Sequence, residues 1–476
     1  MSGFSRRDIC KGLALAAGAS AVRGTSALAA PIDLDFPRDF VWGCASASYQ
    51  IEGAAAEDGR GPTNWDVFSH TPGKVANGDN GDVACDSYHR YAEDTQLLKN
   101  LGAKAYRISL AWSRIFPDGR GQPNQRGLDH YKRVLDNLRE NGIEPYVTLF
   151  HWDLPQALPG GWRNRDTALA FADYAHHVGS QLGDRISKFM TVNEIRCFTD
   201  LGHKVGIHAP GLQLPPAEVN QIRHHGVLAH GLAMQALRAT VRPGTQIGLA
   251  DNAVFHVPVI ETAEHIEAAK KATREENAMF LTAIMEGRYR DSYLAGEGAA
   301  APRVQAGDMA AIGSAVDFVA LNVYQPVYAR AADNARGYVT LPHLPSSPRM
   351  ASPWLYVGPE VLYWAVRSVS ELWSPRSIYI SENGCSADDP VVEGRIDDSD
   401  RVMFLRNYLT QLHRASAEGY PIKGYFLWSL MDNFEWIFGF GQRFGVYRVD
   451  FETQARVPKL SASFFRDVVA RNAIGV

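Results

Sequence analysis

The sequence predicts an α/β fold, a single (β/α)8 TIM barrel. Three observations predict it. Short, nearly all-apolar runs recur eight times along the chain. Longer amphipathic stretches separate them. The apolar runs change to polar and aromatic residues at the same end each time. Strands buried on both faces read as continuous apolar runs, and their alternation with helices describes a parallel sheet wrapped in helices. The chain has 476 residues, 46% of them hydrophobic, which supports a sizeable core. Barrels of this kind run long as one domain.

The strands are expected at 40–45, 104–111, 144–150, 188–193, 246–251, 317–323, 377–381 and 423–427. Between the second and third, Leu128, Tyr131, Leu135 and Leu138 fall at helical spacing, and Asn141-Gly142 offers the left-handed cap that ends the helix. The Ala- and Gly-rich stretch 294–301 reads as a surface loop, and the Pro-rich stretch 341–353 as a long loop over the barrel mouth. No linker or second hydrophobic unit interrupts residues 30–476.

Residues 1–29 stand apart as a twin-arginine signal peptide. Arg6-Arg7 lies in a polar start, a short Ala/Gly-rich apolar run covers 12–22, and Ala27-Leu28-Ala29 offers a small-x-small cleavage site before Ala30. The apolar run is too short to span a bilayer. The expected location is therefore periplasmic or secreted. The formal net charge of −4 carries no basic excess for nucleic acid and no acidic tail. No segment suggests a membrane anchor, and oligomeric state is left open. Cys44, Cys85, Cys197 and Cys385 are far apart, without metal-ligand spacing, and read as buried free thiols. No metal is expected, and no cofactor: no Gly-rich phosphate loop sits between strand and helix.

In a barrel the C-terminal ends of the strands form the active face. Here they carry Gln50 after the first, His151-Trp152-Asp153 after the third, Asn193-Glu194 at the fourth, Asn322 and Tyr324 at the sixth, Glu382-Asn383 at the seventh and Trp428-Ser429 at the eighth. Glu194 and Glu382 thus face each other across the mouth. Two opposed carboxyls are the equipment for breaking a glycosidic bond: one protonates the leaving oxygen, the other meets the oxocarbenium-like carbon. The first must hold its proton while the second stays ionised. Arg107, on the second strand, and the Tyr324 hydroxyl are placed to keep Glu382 ionised.

These residues resemble glycoside hydrolase family 1, from about Phe36 to the C-terminus. The resemblance rests on five motifs in order: 40–53, with Trp42 to Gly53; Phe150-His151-Trp152-Asp153-Leu154-Pro155; Thr191-Val192-Asn193-Glu194; Ile380-Ser381-Glu382-Asn383-Gly384; and 428–436 followed by Arg443-Phe444-Gly445. It implies a retaining β-glycosidase, with Glu194 as acid/base and Glu382 as nucleophile, acting on terminal β-D-glucosyl residues of a small glycoside or oligosaccharide. Gln50, His151, Asn193, Glu435 and Trp436 would bond the sugar hydroxyls, Trp428 would floor the ring, Phe444 would line the pocket, and Trp152, Asn322 and Tyr324 would complete it. Trp354 is placed beside the leaving-group subsite. The alternatives are a β-galactosidase or β-fucosidase, a transglycosidase, or a weakened sugar-binding protein. Glu435 would repel a phosphate, which disfavours 6-phosphoglycosides. One departure stands out: the family usually has Pro after the acid/base, and this chain has Ile195.

Overall fold

The computed structural model describes residues 33–475; the expected signal peptide at 1–29 lies outside them. Eight parallel strands close a barrel: β1 (Val41–Ala45), β2 (Ala105–Ser109), β3 (Glu144–Phe150), β4 (Lys188–Asn193), β5 (Gln246–Asp251), β6 (Phe318–Asn322), β7 (Ile378–Asn383) and β8 (Ile422–Trp428). Each pairs with its sequence neighbour, and β8 returns to β1 with Trp428 opposite Ala45. The outer ring contains α1 (Ser87–Leu101), α2 (Gln125–Glu140), α3 (Asp166–Leu182), α4 (Pro216–Arg238), α5 (Ala263–Glu276), α6 (Glu360–Trp373), α7 (Ser399–Ala417) and α8 (Leu460–Arg471). In α2 the expected apolar stripe of Leu128, Tyr131, Leu135 and Leu138 is buried. Gly142 just beyond it has φ +73°, the left-handed geometry that stops the helix.

The lower half of the barrel is plugged by rings. Phe426 lies 4.9 Å from Tyr146, Tyr379 5.8 Å from Tyr146 and Phe318 5.5 Å from Tyr379, centroid to centroid. Glycines make room for them. A Cβ on Gly43 would sit 2.7 Å from the Phe426 ring, and one on Gly248 2.9 Å from Phe318. Large side chains facing small ones fill the barrel interior. The plug closes one end and leaves the cavity at the other.

One loop differs from expectation, and the other is preceded by a hairpin that was not expected. Within 294–301 the chain forms the end of a helix, Asp291–Glu297, and a 3-10 turn, Gly298–Ala300. Single Ala and Gly residues suggested a loop, but Asp291 in the first turn and the Leu294 carbonyl receiving the Gly298 N–H give this short helix its ends. The segment before 341–353 is a hairpin, Val327–Ala331 with Tyr338–Leu341, extended by His256–Pro258 into a three-stranded sheet. Ala268, Ala269 and Ala272 of α5 pack on Ala329 and Tyr338, so small residues let helix and sheet approach closely. The loop proper then runs from residue 342 to the start of α6. No helix among the described residues is long and apolar enough to cross a membrane.

Candidate active site

Both carboxyl-bearing strands end irregularly. The β4–β5 register slips between Met190 and Asn193, and the β6–β7 register slips between Ile380 and Glu382. Such slips re-aim side chains at a barrel rim. Glu194 then takes φ +50°, and Trp152 and Trp436 take +80° and +52°. Each such non-glycine residue costs about 1–3 kcal/mol and persists where its surroundings over-determine it. The Trp152 indole donates to the Asn193 carbonyl at 3.1 Å, and the Glu194 N–H to Ala250 O at 2.9 Å. Those bonds hold the turn.

Arg107 is the hub beneath the site. Its guanidinium donates to Glu382 Oε1, to the Ser381 carbonyl at 3.2 Å, to Asn193 Oδ1 at 2.6 Å and to Thr148 Oγ1 at 3.2 Å. One buried side chain thereby ties together β2, β3, β4 and β7. Tyr324 donates to Glu382 Oε2 at 2.8 Å. Both Glu382 oxygens are therefore engaged by donors. Glu194 has a poorer environment: the Asn322 amide donates to its Oε1 at 2.7 Å, the Cys197 thiol also bonds it, and no cation contacts it among the described residues. Asn322 is in turn set by Ser381 Oγ, which donates to its Oδ1 at 2.7 Å.

The electrostatics follow that asymmetry. Burial, reinforced by the negative charge of Glu382, pushes the Glu194 carboxyl up to about 8. Burial raises Glu382 as well, but Arg107 and Tyr324 pull it back toward the carboxylate. The single negative charge of the pair thus resides on Glu382. Burial and the neighbouring carboxyls also raise Glu435 to about 8, with Gln50 working against them. Burial, then Arg107, drives His151 well below its ordinary value, so its ring is neutral.

These groups face a cavity of about 450 Å3 at the C-terminal ends of the strands, large enough for a small glycoside. Of the residues singled out from sequence, His151, Trp152, Glu194, Asn322, Tyr324, Glu382, Trp428, Glu435, Trp436 and Phe444 line it, and so does Trp354. Gln50, Asn193 and Arg107 sit one layer behind. Gln50 donates to Asn433 Oδ1, the Phe434 carbonyl and Glu435 Oε2 at 3.0, 2.9 and 3.3 Å. Asn193 Nδ2 donates to His151 Nε2 at 3.1 Å. Gln50 Oε1 and His151 Nδ1 are buried with no partner among the described residues. The Trp436 ring packs at 4.5 Å from both Trp65 and Trp152. Trp428 lies nearly parallel to His151 at 5.8 Å.

Several contributors were given no role from sequence. The loop bearing Glu435, Trp436 and Phe444 is anchored from behind by Asp432, which accepts from Lys459 at 2.6 Å, from Arg443 at 2.7 Å and from the Gly445 N–H at 3.0 Å. Arg443 is therefore committed to the loop. Lys459 also reaches Asp389 at 2.5 Å, and Arg401 binds Asp389 at 2.8 Å. Cys197 lines the cavity beside Glu194 and accepts from the Asn252 amide at 3.1 Å. The four cysteines among the described residues are free thiols, with Cys44, Cys85 and Cys385 buried. Ile195 is buried against α4, where a Cβ on Gly226 would come 2.7 Å from its Cγ2.

A closed barrel with two buried, electrostatically unlike carboxyls at its mouth defines a glycosidase of the carboxyl-pair class. The family model of Glycosyl hydrolase family 1 matches residues 33–474, and the chain belongs to that family. It is 42% identical over 443 residues to a 1,4-beta-D-glucan glucohydrolase of Thermotoga neapolitana, covering 92% of this chain and 99% of that protein. Beta-glucosidase A of Thermotoga maritima is also 42% identical, covering 92% and 98%. The solved family 1 β-glucosidase of T. maritima superposes with a TM-score of 0.85 at 40% identity, over 93% of this chain and all of that one. A T. maritima β-glucosidase complex with deoxynojirimycin gives 0.84 at 41%, over 93% and 99%.

Proposed function

We propose that this protein is a retaining β-glucosidase that removes terminal, non-reducing β-D-glucosyl residues from small glycosides and oligosaccharides. One observation carries the assignment: Arg107 and Tyr324 engage Glu382, while Glu194 is left to burial, an amide and a thiol. Glu382 is then the nucleophile. Its carboxylate attacks the anomeric carbon as Glu194 gives its proton to the departing oxygen, leaving a glycosyl ester. Glu194, now ionised, takes a proton from water, which attacks the same carbon and restores the β configuration. Asn322 bonds Glu194 and is close enough to lower Glu382 as well, so the carboxyls share one neighbour, consistent with direct attack.

Gln50 Oε1 and His151 Nδ1 have no partner among the described residues and are the acceptor and donor we assign to sugar hydroxyls, with Glu435 on the cavity wall, while Trp428 gives the ring an apolar floor. Comparing hydrolysis of 4-nitrophenyl β-glucoside by the wild type and Glu382→Gly tests the reading. A loss of at least ~10³-fold in kcat is expected; equal rates would sink it. The same substrate against its β-galactoside and β-fucoside counterparts decides sugar preference, with glucoside favoured.

We also propose export to the periplasm or exterior, supported by Arg6-Arg7, the apolar run and Ala27-Leu28-Ala29. Supply of glucose from cellulose fragments is the role that fits an exported enzyme of this kind. Growth on cellobiose that is unaffected by deleting the gene would count against that role.

A further inference from the structure

The cavity lining is mixed in chemistry. Besides the groups assigned to the sugar, the cavity wall carries Leu201, Ile207, Val254, Phe255, Val327 and Trp354, with His208, Asn252 and Gln325 as its polar members. Ile207 is 44% exposed, a large apolar side chain open at the cavity's edge. Such a wall has few groups to pair with the hydroxyls of a second sugar, and it suits a flat apolar ring. Into this wall comes one cation. Arg196, two residues after Glu194, also lines the cavity.

The hydrogen bonds of Arg196 go to neutral acceptors: its Nη2 donates to the Glu276 carbonyl and to Asn277 Oδ1, both at 3.0 Å. Its guanidinium lies 4.6 Å from the centre of the Phe280 ring, which fixes its plane. Asp251 and Asp200 lie near enough to favour its charge, but neither forms a direct ion pair with it among the described residues. Asp200 is taken bidentately by Arg223, at 2.7 and 2.6 Å. Asp251 is a buried carboxyl whose Oδ2 has no partner among the described residues, and burial raises it to about 6. Burial lowers Arg196 itself, the sign of a cation held without full solvation. A partly desolvated guanidinium with free N–H groups is an anion site, and a carboxylate matches its fork.

We propose that the leaving-group subsite selects aromatic aglycones bearing a carboxylate, the glucosides of phenolic acids, with Arg196 as the specificity-determining residue. The proposal rests on the β-glucosidase reading. The ring packs on the apolar wall, and the carboxylate, fully ionised at neutral pH, meets Arg196. Uncharged aryl glucosides use the wall alone.

The experiment measures kcat/KM for 3- and 4-carboxyphenyl β-glucosides and for their methyl esters, with 4-nitrophenyl β-glucoside as the neutral reference. The acid-to-ester ratio within one protein cancels changes in folded fraction. On going from wild type to Arg196→Met, that ratio is expected to fall about tenfold for the better-accepted isomer, the size of one charge-assisted hydrogen bond. Arg196→Lys should retain part of it. In the wild type the ratio should also decline as salt is raised, a readout that needs no variant. A ratio unchanged by Arg196→Met and insensitive to salt overturns the proposal. Absence of 4-nitrophenyl β-glucoside turnover by the wild type instead defeats the underlying β-glucosidase reading, so the two failures are distinct.

Discussion

At the scale of the residue, the proposed catalytic division of labour rests on unequal neighbours. Two buried glutamates of the same chemical type differ because Arg107 donates to one and not the other. The sign of the pH dependence follows. Glu194 must carry a proton to act, and burial with the Glu382 charge holds that proton until about pH 8. Activity is therefore present below that value and lost as pH rises through it, while the acid limb belongs to protonation of Glu382. Glu194→Gln should abolish the basic limb in kcat/KM. It should also cost about 10²–10⁴-fold on glucosides of poor leaving groups and much less on good ones. Equal losses on both would contradict the role. The two glutamates and Tyr324 were legible from sequence because each stands where an apolar run ends, and Arg107 because it is a charge inside one. Asn322's bond to Glu194 and Cys197's place beside it were not, since nothing in a local pattern reports which strand-end side chains meet.

At the scale of the element, strand identity was readable and strand ends were less so. The ranges 144–150, 188–193 and 246–251 match β3, β4 and β5, because their apolar runs have sharp polar borders. β7 runs on through Glu382 to Asn383, two residues past expectation, since hydrogen bonding continues where hydrophobicity stops. Register slips in β4 and β7 leave no compositional trace, yet they aim both carboxyls. The hairpin 327–341 was missed because its strands are short and half-exposed. Gly384 shows how tightly an element end is fitted. A Cβ there would lie 1.8 Å from the Trp428 carbonyl oxygen, so any side chain must push β7 away from β8. Gly384→Ala should lower kcat by about 100-fold, the scale of an ångström-level misplacement. Wild-type kcat in that variant, measured on 4-nitrophenyl β-glucoside, would refute the fit.

At the scale of the whole molecule, the aromatic plug at one end of the barrel and the open cavity at the other give the enzyme its polarity. Buried ion pairs through Asp432, Lys459, Asp389 and Arg401 hold the last rim loop onto that frame. This network joins residues dozens of positions apart, which is why sequence spacing did not reveal it. The proposed signal peptide adds a separate expectation. Arg6→Lys with Arg7→Lys should keep the protein in the cytoplasm, and the exported form should begin at Ala30 by mass. Undiminished export of the double variant would rule out the twin-arginine route.

The central claim is that Glu382 is the nucleophile on the α face of a β-glucoside. The most direct measurement is product analysis of Glu382→Gly with an activated β-glucoside and sodium azide. Azide occupying the vacated space should restore turnover and yield α-glucosyl azide, the inverted product. A β-glucosyl azide, or no rescue in a folded variant, would contradict the account.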